Sequence, residues 1–301
     1  MAGIYTDVLA SEIAENIFPD SSFVVHSKDD TIWVNNENVR LPQSGAIPAT
    51  QRNRSVFPAT ITERTDTVIE YMLQEFSSDP SRVRNMDAVK VSYNKRKDVL
   101  SDHSMSLQQD LANYLAYVWA ANTAAGILVT TGGLRQSSAV GSTGNRKGLT
   151  LKDVQNAMVK LDVQDIPRDG RKILLNPNML SDLLDDSKLT SRDWTNNSNS
   201  LQNGTVGRLM GFDVYVRSSV ISYADNSVTP KDPIALRATN DDAGALVWHP
   251  SFVRRALGAT KVYLNPDQAA HYGDIMSAEV RGGGTAAYAN RRGIVTIKEA
   301  K

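Results

Sequence analysis

An alanine-rich segment at residues 104–125 constrains the fold of this chain more than any other stretch. Its apolar side chains recur at steps of three and four, which predicts a continuous apolar stripe on a helix of roughly 20 residues, about 30 Å long. Ser106 and Gln109 fit a capping box at the start of this helix, and Gly126 fits its end. The stripe consists of Leu107, Leu111, Tyr114, Val118, Ala121 and Ala125. Because the many alanines leave little side-chain bulk, we expect neighbouring elements to approach this helix closely.

The same segment contains no charged residue between Asp110 and Arg135, which raises the alternative of a membrane span. Asn113, Asn122, the polar groups of tyrosine and tryptophan, and the predominance of alanine make the segment only weakly lipophilic. We therefore predict a buried helix in a soluble protein that has no membrane partner.

The composition is that of an ordinary globular protein, with 301 residues of which 41% are apolar and 22% charged. This length allows one large domain or two moderate ones. Lys plus Arg equals Asp plus Glu at 33 each, so no global positive charge attracts nucleic acid, although a local basic face stays open. The absence of cysteine excludes disulfides and thiolate catalysis. Residues 1–10 lack the features of a secretory signal, which predicts synthesis in the cytoplasm.

The N-terminal part of the chain is predicted to contain short secondary-structure elements followed by an extended segment. Residues 4–17 carry apolar side chains at helical spacing, which predicts a short amphipathic helix that needs a partner surface. Residues 23–26 and 31–34 are β-like runs. Residues 35–58 contain three prolines and no sustained periodicity, and their apolar side chains favour an arm lying over another surface.

Residues 59–100 precede the helix and contain two runs in which apolar and polar side chains alternate, at 69–74 and 89–94. A polar stretch at 77–85 with a proline turn separates them. This pattern predicts a long hairpin. Because two strands alone have no interior, the hairpin must be stabilised by packing on something else.

The central part of the chain predicts an α/β layer. Residues 132–148 are rich in glycine and serine and read as a flexible connection. An amphipathic helix follows at 149–161, with Thr150 and Asp153 as its cap. A buried strand at 172–175 then leads into a short helix at 176–186, which Asn176 caps and Pro177 opens.

The C-terminal part, beyond a polar surface loop at 187–203, predicts mostly strands. We expect a helical turn near residues 252–257, and a final pair of strands joined by a flexible glycine turn at Gly282–Gly284. The predicted strands are 212–217, 234–238, 245–248, 261–264, 274–281 and 293–298.

Candidate chemistry is sparse. The four histidines share no metal-ligand spacing, the acidic pairs lie in polar turns, and no phosphate-binding or nucleophile motif is present. The basic run Lys95–Lys97 has no aromatic platform beside it and reads as a solvated strand end. The sequence predicts no catalytic residue, no cofactor and no metal site. The residues weighed for these roles are His26, His103, His249, His271, Asp185, Asp186, Asp241 and Asp242.

The order of elements resembles the major capsid proteins of tailed double-stranded DNA bacteriophages with the HK97 fold. Three stretches sharpen the resemblance: LDVQDIPRDGRKILLNPNMLSDLLDD at 161–186, GRLMGFDVYVRSSV at 207–220 and ALVWHPSFVRRALG at 245–258. The final HYGDIMSAEVRGG and RRGIVTI resemble the closing strands of that fold. The resemblance implies an α+β fold with an N-terminal arm, an extended β-hairpin E-loop, a peripheral domain built on a spine helix, and an α/β axial domain.

The resemblance also implies a division of the chain. It assigns the N-terminal arm to residues 1–58, the E-loop hairpin to 59–104, the peripheral domain with its spine helix to 105–165, the axial domain to 166–265, and a return to the peripheral domain to 266–301.

The implied function is self-assembly into hexamers and pentamers of an icosahedral head that encloses packaged double-stranded DNA. The implied partners are further copies of the chain, scaffolding, portal and decoration proteins, and non-specifically bound DNA on the inner face. The implied location is the virion, after synthesis and assembly in the host bacterial cytoplasm. Two alternatives remain open: an encapsulin-like compartment shell and a soluble α/β enzyme.

Some members of this fold crosslink their subunits through a hairpin lysine and an asparagine placed seven residues before a catalytic glutamate. If Glu279 matches that glutamate, the corresponding position here is Tyr272 and not asparagine. The resemblance with this departure predicts non-covalent assembly.

Overall fold

The computed structural model describes residues 23–35, 37–43, 45, 50–55, 57–58, 61, 63, 66–84, 94–185 and 207–301. These residues form an α+β fold with far more strand than helix. The helix predicted at residues 4–17 and the loop at 187–203 lie outside the described residues, as does most of the strand predicted at 89–94. The helices are α1 (Asn94–Trp119), α2 (Leu151–Val163) and α3 (Pro177–Leu184).

The strands are short at the N-terminus and long near the C-terminus. They are β1 (Lys28–Asp29), β2 (Val34–Asn35), β3 (Asn38–Gln43), β4 (Thr67–Met72), β5 (Gln74–Ser77), β6 (Ser81–Arg84), β7 (Ile127–Val129), β8 (Leu134–Gln136), β9 (Asn145–Lys147), β10 (Lys172–Leu175), β11 (Arg208–Leu209), β12 (Phe212–Val216), β13 (Ile221–Tyr223), β14 (Asp242–Trp248), β15 (Val253–Gln268), β16 (Gly273–Ala286) and β17 (Ile294–Lys298).

The predicted central helix is α1, but its bounds differ from those expected. It begins ten residues earlier than residue 104, so Ser106 lies inside the helix and does not cap it. It ends at Trp119 because tertiary contacts take over the backbone groups that follow. The Ala121 N–H donates to Thr296 Oγ1 at 3.0 Å, and the Ala121 carbonyl accepts from Tyr223 Oη at 2.7 Å. These bonds satisfy the chain without a further helical turn.

A seven-stranded sheet forms the centre of the molecule in the order β11-β12-β10-β14-β17-β7, with β13 also paired to β14. Alternate side chains of its strands point to opposite faces. Leu174, Leu246 and Trp248 pack in the cluster that contains α1. Ile173 and Val247 pack in the cluster that contains α2 and α3. The sheet is therefore covered on both faces, which accounts for the continuous burial of β10 and β14.

The caps of α2 and α3 are confirmed. Thr150 Oγ1 accepts from the Asp153 N–H, and the Asp153 carboxylate accepts from the Thr150 N–H, which completes a capping box. Asn176 Oδ1 accepts from the Met179 N–H at 2.8 Å, and Pro177 occupies the first turn. These interactions are local, so sequence spacing was sufficient to predict them.

A second sheet contains the two longest strands, β15 and β16, which form an antiparallel ribbon. β1 pairs with β15, and β5 and β6 pair with β16. The predicted pairing of strands 274–281 and 293–298 is wrong: β16 pairs with β15, and β17 pairs with β14 and β7. Residues of α2 and β17 pack together in the layer of the central sheet.

The glycine run Gly282–Gly284 lies within β16 and is not the flexible turn that was expected. A β-carbon at Gly282 would lie 2.5 Å from Leu111 Cδ1, and one at Gly284 would lie 2.7 Å from Leu115 Cδ2. Both leucines belong to α1. The glycines have no side chains at the positions where α1 lies against β16. This contact is the close approach that was predicted for the helix.

The hairpin predicted in residues 59–104 is paired differently. β4 pairs along its whole length with β3, from Asn38↔Met72 to Gln43↔Thr67. β5 and β6 lie on the ribbon of the same chain. Residues 94–104 belong to α1. The long hairpin is therefore β3–β4, and its first strand comes from the segment predicted as an arm.

Several shorter predictions also need correction. Residues 23–25 and 31–33 form single 3₁₀ turns instead of strands, and residues 234–238 form a turn. The helical turn expected near 252–257 is a 3₁₀ turn at Pro250–Phe252, after which β15 begins. The connection at 132–148 contains the hairpin β8–β9. Local backbone hydrogen bonds close the turns, such as those from His26 N–H to the Phe23 carbonyl and from Phe252 N–H to the His249 carbonyl.

Candidate assembly surfaces

An aromatic cluster fixes the parts of the body relative to one another. Phe23 makes edge contacts with Trp119 at 5.9 Å and with Trp248 at 6.0 Å between ring centroids. Trp119 Nε1 donates to the Arg254 carbonyl at 3.0 Å, and Trp248 Nε1 donates to the His26 carbonyl at 2.9 Å. Helix α1, both large sheets and the N-terminal turn therefore meet at one buried point.

Buried ion pairs tie the C-terminal segment into the same body. Asp242 pairs with Arg146 at 2.6 Å and with Lys298 at 3.1 Å, and all three side chains are at least nine-tenths buried. The buried carboxylate of Glu299 pairs with Arg135 at 2.8 Å. The predicted β-element at the C-terminus is confirmed, and these charges hold it in place.

The most exposed apolar pair lies on the turn that follows β13. Ile234 and Leu236 are each 92% exposed. The turn beneath them is anchored: the Ile234 N–H donates to Asp232 Oδ1 at 2.9 Å, and Lys231 pairs with buried Asp241 at 2.7 Å. Arg237 adds a hydrogen bond to Ser222 Oγ. Two bare aliphatic side chains on a fixed support are suited to binding another surface.

The sequence predicts a strand at this position instead of a turn, because the apolar run Ile234, Ala235 and Leu236 resembles a strand. A signal for the turn was present in the preceding Asp232–Pro233, since aspartate before proline favours turn initiation.

A second exposed surface lies on the hairpin β3–β4. One face of it packs Val39, Leu41 and Tyr71 in a small core with Ala256. The other face presents Val68 and Met72 to solvent, and the neighbouring turn exposes Ile32 and Trp33. Among the described strands, β4 pairs with β3 alone, which makes it the edge strand of this small sheet within the described residues.

The residues compared with the crosslinking residues of the family both lie on the ribbon, Glu279 in the middle of β16 and Tyr272 in the end turn. Tyr272 lies in the turn between β15 and β16 and is 80% exposed. Glu279 lies opposite Lys261 in the ribbon and accepts a hydrogen bond from Tyr263 Oη at 2.9 Å. That hydrogen bond raises the pKa of the Tyr263 phenol. Arg281 pairs with Glu37 at 2.7 Å and with Glu75 at 3.2 Å.

The four histidines have different surroundings. His26 contacts Tyr215 Oη at 2.5 Å, and burial together with nearby Lys172 lowers its pKa. His103 is buried in α1, where desolvation lowers its pKa. The His249 pKa is lowered for the same reason, and His271 is exposed. The described part of the chain contains no cluster of histidine, aspartate and glutamate able to hold a metal ion.

The remaining candidates have structural positions. Asp241 and Asp242 are buried in ion pairs and do not form a solvated turn. Asp185 is exposed just beyond α3, and Asp186 lies outside the described residues. Lys95–Lys97 opens α1, not the end of a strand. Within the described residues, no helix has the length and apolar character to cross a membrane.

Several solved structures from phages, capsids among them, share this architecture. Similar structures are those of Mycobacterium phage Che8 (19% identity, TM-score 0.60, covering 95% of this chain and 90% of that one), cyanophage P-SCSP1u (14%, 0.63, 93% and 88%) and Ralstonia phage GP4 (13%, 0.64, 95% and 90%). The predicted α+β HK97-like fold class is confirmed. No curated protein matches the chain significantly.

The chain belongs to the phage capsid protein family, whose model matches residues 28–300. It is a phage major capsid protein, a structural component of the virion that associates with copies of itself. The predicted identity and its function are confirmed at this level.

Proposed function

We propose that this chain assembles into hexamers and pentamers of an icosahedral head that encloses double-stranded DNA. The family match over residues 28–300 is the single observation that carries the proposal. The anchored turn with Ile234 and Leu236, and the edge strand β4, support it because neighbouring copies can cover such surfaces. Electron microscopy of the purified protein tests it: closed shells or ring-shaped capsomers are expected, and only compact monomers would contradict it.

We assign the axial domain to the central sheet with α2 and α3, and the peripheral domain to α1 with the ribbon β15–β16. The E-loop is then the hairpin β3–β4 with its connecting loop, in place of residues 59–104. This assignment follows strand pairing, since β3 and β4 form a unit of their own whereas β5 and β6 lie on the ribbon.

Replacing Ile234 and Leu236 together with aspartate is expected to prevent capsomer formation without unfolding the subunit. Both side chains are bare in the single chain, so the fold loses little, whereas an interface would have to bury two new charges. Size-exclusion chromatography with light scattering measures the effect. The population of multimers should fall at least about tenfold, equivalent to 1.4 kcal/mol or more per contact.

The matched control is Ile234→Val with Leu236→Met, which keeps the turn apolar and should keep assembly. Circular dichroism and thermal unfolding should be alike for both double variants. Normal assembly of the aspartate variant would show that this turn does not lie in an interface.

Assembled particles are expected to dissociate into monomers when boiled in detergent. Glu279 is engaged with Tyr263, and the position that crosslinking members fill with asparagine is Tyr272. Gel electrophoresis of boiled shells should give one band near 32.9 kDa. A ladder of multimers would overturn non-covalent assembly.

We also propose scaffolding and portal proteins as assembly partners, decoration proteins on the outside, DNA on the inner face and assembly in the host cytoplasm. Closed shells recovered from this chain expressed alone would argue against a separate scaffold. Mass spectrometry and nucleic-acid staining of particle contents separate a genome-filled head from an encapsulin-like compartment with a cargo enzyme. We propose no catalytic activity for the chain.

A further inference from the structure

A groove between α1 and the end of β12 is left open by the described residues. Its cavity volume is about 280 Å³. Phe23, Ala112 and Leu174 form an apolar floor, and Met105, 64% exposed, forms part of one wall. Such an apolar groove at the meeting point of a helix and a sheet fits the apolar face of an amphipathic segment.

We propose that the N-terminal segment of the same chain, residues 4–17, docks in this groove through its apolar stripe. The sequence gives that segment apolar side chains at helical spacing, namely Ile4, Val8, Leu9, Ile13 and Ile17. The segment has no surface of its own against which this stripe can pack. The groove provides such an apolar surface.

Chain continuity selects this segment over other occupants. Phe23, the first described residue, itself lies in the groove. The five residues between Ile17 and Phe23 span at most about 18 Å when extended. Helix α1 from Met105 to Ala112 extends over roughly 10 Å, so the tethered segment lies within reach of the whole groove. A tether this short also gives the segment a high effective concentration at the groove.

Charge complementarity supports the same occupant. Residues 1–22 contain Asp7, Glu12, Glu15 and Asp20 but no lysine or arginine. The charged side chain lining the groove is Arg217, whose guanidinium lies 5.6 Å from the centre of the Phe23 ring. Its Nη2 donates to the Gln109 carbonyl at 2.9 Å, while its Nη1 is buried without a hydrogen-bond partner among the described residues. Asp110 is a nearby carboxylate that acts on Arg217 without a hydrogen bond to Nη1, and an acidic segment beside this cation would supply a carboxylate in hydrogen-bond contact.

Disulfide trapping tests the docking directly, because the chain has no cysteine of its own. Ile17→Cys with Met105→Cys, in the full-length unassembled subunit oxidised with diamide, should form a disulfide within one chain. The matched control is Ile17→Cys with Val163→Cys. Val163 ends α2, which covers the opposite face of the central sheet, and its side chain is 79% exposed.

The 17–105 pair should close at least about tenfold faster than the 17–163 pair, measured on non-reducing gels and by peptide mass spectrometry. Equal rates, or disulfides formed only between chains, would overturn the proposal, and the second result would assign the groove to a neighbouring copy. In the 17–105 background, Arg217→Met should slow closure several-fold at low salt and Arg217→Lys should not. Equal rates in these two variants would refute the role given to the guanidinium.

The disulfide rates are measured on the unassembled subunit. They therefore test the docking of residues 4–17 and do not depend on whether the subunit forms capsomers.

Discussion

Gly284→Val is expected to lower the free energy of unfolding of the subunit by about 1–3 kcal/mol, since extra carbons in a close-packed core force atoms apart. A β-carbon at this position would lie 2.6 Å from the Arg254 carbonyl oxygen and 2.7 Å from Leu115 Cδ2. The first of these atoms belongs to the paired strand and cannot rotate away. Urea unfolding of the unassembled subunit measures the loss.

Gly133→Ala is the control for this substitution. A β-carbon at Gly133 would meet no atom within 4 Å, so this change should leave stability unchanged or raise it by about 0.4–1 kcal/mol through the unfolded chain. If Gly284→Val proved as stable as the parent chain, α1 would not lie against β16 as described. The consequence for assembly would be indirect, since α1 and the ribbon together form the proposed peripheral domain.

Asp242→Asn is expected to lower the free energy of unfolding by about 3–5 kcal/mol, because it removes the negative charge that pairs with two buried cations. Arg146 and Lys298 both pair with this carboxylate, and neither has more than a tenth of its side chain exposed. Asparagine keeps the shape of the side chain, so the lost free energy of unfolding measures the effect of the charge and not of packing. Urea unfolding at neutral pH is again the measurement.

Glu70→Gln is the matched control for the charge substitution. Glu70 pairs with Arg40 at 2.9 Å, but both side chains are largely exposed, and such pairs contribute about 1 kcal/mol or less. A loss below 1 kcal/mol in Asp242→Asn would contradict the burial of this ion-pair network.

Local signals in the sequence predicted the elements whose stabilising contacts lie within a few residues. The capping box of Thr150 and Asp153 and the Asn176–Pro177 helix start are of this kind, and both are confirmed. The strand at 172–175 is also confirmed, because its run Ile173, Leu174 and Leu175 is apolar, as expected of a strand buried on both faces. Ile234 and Leu236 were wrongly predicted to lie in a strand, because their short apolar run resembles one. Their exposure could not be predicted, since exposure does not follow from an apolar identity.

The sequence by itself determined the alanine-rich central helix, because helical periodicity is a property of neighbouring residues. The α+β shell protein followed from the resemblance of its ordered motifs to a known family. Only the tertiary structure decided which strands pair. β4 pairs with β3, and β16 with β15, through backbone N–H and C=O groups. These groups do not depend on the identity of the side chain, so the sequence does not specify which strands pair. The end of α1 at Trp119 and the burial of Gly282–Gly284 have the same origin, since both are set by partners distant in the chain.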